Sequence, residues 1–114
     1  MAERDLDHTF AALADPTRRA AVGLLRQHPW RSSDIADALA MSRPAMSRHL
    51  RILRLAGLVE ETSPDDDARV RMYSLLPQPF SVLRTWLDEV ESFWSDQLCA
   101  FALHAETKHG KPPR

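Results

Sequence analysis

Three apolar residues near the start of the chain, Leu6, Phe10 and Leu13, recur at helical spacing and predict a first helix over about residues 5–13. Asp15-Pro16 then restarts the chain. A carboxylate can cap the next helix, and proline fits its first position without losing a hydrogen bond. That second helix is expected from Pro16 to about Gln27, burying Ala20, Ala21, Leu24 and Leu25. His28-Pro29 ends it, because the residue before a proline is pushed out of the helical region. Ser32 or Ser33 is placed to cap a short third helix carrying Ile35, Ala36 and Leu39. A turn at Ala40-Met41 leads to Ser42, the expected cap of a fourth helix with Pro44 in its first turn. This helix ends near Leu55, and Gly57 supplies a left-handed stop. Two short helices joined by such a turn form a helix-turn-helix pattern.

Beyond Gly57 the period changes. Leu58 to Thr62 and Val70 to Leu75 suit strands, and the polar run Ser63-Pro64-Asp65-Asp66-Asp67 between them predicts a β-hairpin. Pro77 and Pro79 separate the hairpin from a last segment, Phe80 to about Ala105. There Leu83, Leu87, Val90, Trp94, Leu98 and Phe101 step by four, three, four, four and three, the seam of a long amphipathic helix. The expected order is α-α-α-α-β-β-α: mainly helical, with one small hairpin. A tail over residues 106–114, with Gly110, Pro112 and Pro113, is expected to be disordered.

With 114 residues the chain has room for one modest core, and its composition is that of an ordinary globular protein. No apolar run reaches the roughly 18 residues a membrane-spanning helix needs, and the N-terminus lacks an apolar signal region. A cytoplasmic protein is expected. The single cysteine, Cys99, excludes an intramolecular disulfide and any multi-cysteine metal cage within one chain. Charge changes the picture once it is divided along the sequence. The net value is −1, yet residues 15–54 hold eight arginines against Asp15, Asp34 and Asp37, a local +5. Attraction to a polyanion depends on that local field, not on the total.

The fourth helix concentrates this charge on one side. With Met46 at zero and about 100° per residue, Leu50 and Leu53 fall within about 40° of it. The opposite arc carries Arg43, Pro44, Ser47, Arg48, Arg51, Arg54 and Leu55, and no acid. A B-DNA major groove about 12 Å wide admits one such helix, and arginine offers paired donors to guanine or to phosphate. Residues at the N-terminal end of a recognition helix reach deepest. Arg43, Ser47 and Arg48 are therefore candidates for base edges, with Pro44 available to a thymine methyl. Arg51 and Arg54 lie further along and suit phosphates. In the hairpin, Arg69 and Arg71 alternate onto one face and can follow the backbone or enter a minor groove. The three aspartates at its tip either turn away from the duplex or limit non-specific affinity.

The runs Ala12-Leu13-Ala14-Asp15-Pro16-Thr17-Arg18-Arg19 and Ser42-Arg43-Pro44-Ala45-Met46-Ser47-Arg48-His49-Leu50, followed by Leu53 through Val59, resemble the ArsR/SmtB family of winged-helix bacterial repressors. The resemblance spans roughly residues 6–103, and SRPAMSRHLRILRLAGLV is its most specific part. It implies one winged helix-turn-helix domain over residues 1–105 with a dimerisation helix from about 80. It further implies that Ser42, Arg43, Ser47, Arg48 and Arg51 face double-stranded operator DNA, and that the first and last helices build a homodimer. Leu6, Phe10, Leu83, Leu87, Val90, Trp94, Leu98 and Phe101 are the interface candidates. The family's metal motifs are missing. The third helix has no cysteine pair, and Asp96, His104, Glu106 and His109 do not reproduce the spacing in the last helix. No metal and no cofactor is expected.

Other readings compete. A phosphate-binding glycine loop, a His-Glu-x-x-His pair and a nucleophile elbow are all missing, so no enzyme is expected. A winged helix serving only protein interaction would have no reason to keep the outer face of residues 43–54 free of acids. A thiol- or metal-responsive sensor would use Cys99 or the pair His104 and His109. Against it, the two histidines are five residues apart, about 140° around a helix, and a cysteine beside Leu98 and Phe101 reads as a small hydrophobe.

Overall fold

The computed structural model describes residues 2–63 and 69–109, with side chains from Asp5 to Ser63 and from Arg69 to His104. In chain order the elements are α1 (Ala2–Leu13), α2 (Pro16–Leu25), β1 (Trp30–Arg31), α3 (Ser32–Ala38), α4 (Arg43–Leu55), β2 (Val59–Thr62), β3 (Met72–Leu75) and α5 (Pro77–His109). Packing divides the chain into two units, Met1–Val82 and Leu83–Arg114, so the boundary falls inside α5.

The local signals for α2 and α4 act as expected. Asp15 Oδ1 accepts from the backbone N–H of Thr17 at 2.8 Å and of Arg18 at 3.2 Å, with Pro16 opening α2. Partial loss of water pushes the Asp15 carboxyl up. The two N–H donors, with His49 and Arg18 nearby, outweigh that and hold it below the usual carboxylate value. Its contribution to stability is therefore present above the unfolded value and lost as pH falls through the lowered one. Ser42 Oγ accepts from the Ala45 N–H at 3.2 Å, and Gly57 adopts φ 80° just past the end of α4.

Four expectations need correction. Ala20 is exposed, because it lies about 100–140° around α2 from the buried Ala21 and Leu25. Neither Ser32 nor Ser33 caps α3. Arg31 stands at that position without a side-chain cap, since strand pairing with Met72 holds it extended and the helix begins directly after it. The hairpin gains a third strand: β1 pairs antiparallel with β3, giving the order β1-β3-β2. Finally, α5 begins at Pro77 and continues through His109, so residues 106–109 are helical, while 110–114 lie outside the described residues.

The core of the first unit joins Ala12 of α1, Ala21 and Leu25 of α2, Ile35 and Ala36 of α3, Leu58, Val59 and Tyr73 to one face of α4. That face is Met46, Leu50 and Leu53, each fully buried. Full burial of such a side chain contributes about 1.5–3 kcal/mol, so this stripe fixes the rotation of α4 about its axis. Arg18 ties α1 to α4: Nε donates to the Ala12 carbonyl at 2.5 Å, Nη2 to that of Ala11 at 3.3 Å, and Nη1 to His49 Nδ1 at 3.2 Å.

The turn between α3 and α4 holds one backbone irregularity. Ala40 has φ 55°, the left-handed region that an L side chain occupies at a cost of roughly 1–2 kcal/mol. Ala40→Gly should remove that cost and lose part of the gain to glycine's larger unfolded-state entropy, a net stabilisation of up to about 1 kcal/mol. Thermal unfolding checks it, and a lowered midpoint would contradict the strain assignment.

Candidate nucleic-acid interface

With Met46, Leu50 and Leu53 inward, the remaining arc of α4 is set toward solvent. Ser42, Arg43, Pro44, Ser47, Arg48, Arg51 and Arg54 are all exposed, as are Arg69 and Arg71. Arg69 and Arg71 do not lie within the returning strand, which begins at Met72; they precede it. Together with Arg43 and Ser47 at the start of α4 they border a groove of about 290 Å³. Arg31, Ser32 and Ser33 complete its lining. Four guanidiniums and three hydroxyls thus converge at the point where α3, α4 and the wing meet. These are donors suited to phosphate oxygens.

Arg31, Ser32 and Ser33 were not legible as part of this surface. Their place depends on the two-residue pairing of β1 with β3, Trp30 opposite Tyr73 and Arg31 opposite Met72, which leaves no periodic trace in so short a strand. The aspartates at the hairpin tip, Asp65 to Asp67, lie outside the described residues.

The cations of the surface are not equivalent. Arg43, Arg48 and Arg51 carry no ion pair among the described residues. Arg54 and Arg71 share one carboxylate oxygen: Arg71 Nη1 donates to Glu61 Oε1 at 3.1 Å, and Arg54 Nη1 stands 3.8 Å from the same atom. The other oxygen, Oε2, accepts from the Tyr73 hydroxyl at 2.6 Å. Glu61 and Tyr73 face each other across β2 and β3. The Tyr73 bond, then Arg71 and Arg54, hold the Glu61 carboxyl below its usual value although partial burial opposes this. Burial first, then the hydrogen bond to Glu61 and its charge, push the Tyr73 phenol up to about 12.

The third helix has no cysteine, and no three His, Cys, Asp or Glu side chains come together among the described residues. Cys99, read as a small hydrophobe, is exposed. No helix among the described residues is long and apolar enough to cross a membrane.

A helix-turn-helix whose second helix turns a basic face outward, followed by an antiparallel wing, defines a winged-helix DNA-binding regulator. Residues 15–61 match the family described as bacterial regulatory protein, arsR family. The chain is 41% identical over 99 residues to the HTH-type transcriptional regulator Rv2034 of Mycobacterium tuberculosis, covering 87% of each protein. It is 36% identical over 56 residues to the transcriptional repressor SdpR of Bacillus subtilis, covering 49% of this chain and 62% of that one. The structure of an ArsR-like transcriptional regulator from Rhodococcus sp. RHA1 superposes with a TM-score of 0.75 at 29% identity, over 91% of this chain and 93% of that one. This chain belongs to the ArsR family of bacterial transcriptional regulators.

The chain has a single tyrosine, so absorbance titration of the phenolate reads Tyr73 alone. Its midpoint should lie near 12, and Glu61→Gln should lower it toward the ordinary value of about 10. Because the folded value is raised, this phenol's contribution to stability is complete below the unfolded value and disappears as pH rises through the folded one. A wild-type midpoint at the ordinary value would contradict the Glu61–Tyr73 contact.

Proposed function

We propose that this regulator is a homodimeric repressor that binds a pseudo-palindromic operator through α4 and the wing over residues 58–75. The observation that carries the reading is the acid-free outer face of α4, continuous with a groove lined by arginines from β1, α4 and the segment leading into β3. In this reading Arg43, Ser47 and Arg48 contact base edges, with Pro44 beside them. Ser42, Arg51, Arg54, Arg69 and Arg71 hold the backbone, joined by Arg31, Ser32 and Ser33. The similarity to a protein named as a transcriptional repressor supports repression as the direction of control.

Dimerisation follows from the need to place two copies of α4 in successive major grooves. In the second unit, Leu87, Trp94, Leu98 and Phe101 are exposed, Trp94 at 59% and Phe101 at 72%, while Leu83 and Val90 are half-buried. In this reading a second copy of α5 covers that seam, with Leu6 and Phe10 contributing from α1. Aromatic residues are enriched at the centre of such interfaces.

A gel shift against the DNA flanking the gene, with salt varied, tests the recognition surface. Arg48→Ala should lose about 1–3 kcal/mol on the operator and relax the preference at one base pair. Arg51→Ala should weaken all sequences alike and lower the salt slope by about 0.9. If neither variant changed operator affinity, the assignment of α4 to the groove would fail.

Leu87→Glu tests the dimer. It should place an unpaired charge in the seam, dissociate the protein in sedimentation and weaken operator binding although Leu87 touches no DNA. Wild-type protein sedimenting as a 13.0 kDa monomer at micromolar concentration would contradict the proposal.

A further inference from the structure

Among the charges of the candidate interface, Glu61 stands apart, since its carboxylate reaches toward both elements that carry the cations. Arg54 comes from the last turn of α4 and Arg71 from the segment leading into β3, and both converge on Glu61 Oε1. The carboxylate cannot swing away freely. Its side chain is 19% exposed, and Tyr73 on the facing strand holds Oε2 at 2.6 Å. Two cations and one fixed anion leave a net single positive charge at this point of the surface.

We propose that Glu61 limits the protein's sequence-independent affinity for DNA by holding Arg54 and Arg71 against its own carboxylate. The inference rests on the DNA-binding reading above. Non-specific binding is almost wholly electrostatic, and each phosphate neutralised adds about −0.9 to the slope of log K against log salt. Base-edge contacts from the first turns of α4 do not involve Glu61. A neutral acceptor at position 61 could still receive the Tyr73 hydroxyl, so the fold does not require the charge. What the charge adds is competition with phosphate for two arginines.

The test measures binding of wild type and Glu61→Gln to a duplex of random sequence across a salt series, with folding verified by circular dichroism. Glu61→Gln should bind severalfold more tightly near 0.1 M salt, with a slope steeper by about 0.9. The charge-compensated pair Glu61→Gln with Arg71→Gln should return the slope to the wild-type value. A merely structural role for Glu61 would not produce that return. Should the glutamine variant melt too low to assay, Glu61→Thr makes the same charge change in a residue that favours strands. An unchanged slope in the single variant, or a double variant no closer to wild type than the single, would overturn the proposal. Wild-type protein that bound no DNA at all would refute the DNA-binding reading itself, a separate outcome from these.

Discussion

The burial of Met46, Leu50 and Leu53 is the constraint on which the rest of the first unit depends. A helix has only one rotation about its axis that puts these three side chains into the core, and the choice also decides which residues face water. Arg43, Ser47, Arg48 and Arg51 are presented outward because their neighbours on the opposite face are buried. Around this helix the other contacts act as supports. Arg18 holds the end of α1 and the ring of His49, while the Leu58 carbonyl receives the Leu76 N–H at 2.9 Å where the wing returns. A polar substitution in the stripe would therefore damage the outer surface without touching it.

How much of this could be read from the chain follows the range of each interaction. Asp15, Ser42 and Gly57 act through their own backbone neighbours, so their roles were legible in order and position. The apolar stripe of α4 was legible for the same reason, as a pattern within one helix. Ala20 was misread because an alanine adds little to a periodic pattern, and the angle decides its side. The strand at Trp30–Arg31 was invisible because two residues show no alternation, and only the distant Met72 and Tyr73 give them a partner. Arg31, Ser32 and Ser33 were missed as part of the surface by consequence. The same distance hid Glu61: nothing at position 61 announces that Arg54 and Arg71 converge on it.

Length and composition were weaker guides than the distribution of charge. A net of −1 describes a molecule with no general affinity for polyanions, whereas residues 15–54 alone carry +5. Three of those eight arginines, Arg43, Arg48 and Arg51, project from one face of one helix without an ion pair among the described residues. Arg18 is spent on the α1 carbonyls and His49 and acts within the fold. A count of arginines thus overstates the field a ligand would meet, and the structure separates the cations that hold the protein together from those it offers outward.

The same separation applies to apolar surface. In the first unit the large apolar side chains of α4 divide between the buried stripe and two exposed residues, Ile52 and Leu55. In the second unit, residues 87–101 of α5 keep a helical seam whose side chains are largely exposed. A run of leucines and aromatics repeating at helical spacing serves no purpose on a solvated helix, where charged residues such as Asp88, Glu89 and Glu91 suffice. In the proposed reading its partner is itself a helix. The simplest partner able to match its period over the whole length is the same helix from a second copy. Under the proposal, a two-fold arrangement of that kind also supplies a second recognition helix. The apolar seam and the basic face are in this sense two halves of one proposal, because reading a pseudo-palindrome needs both.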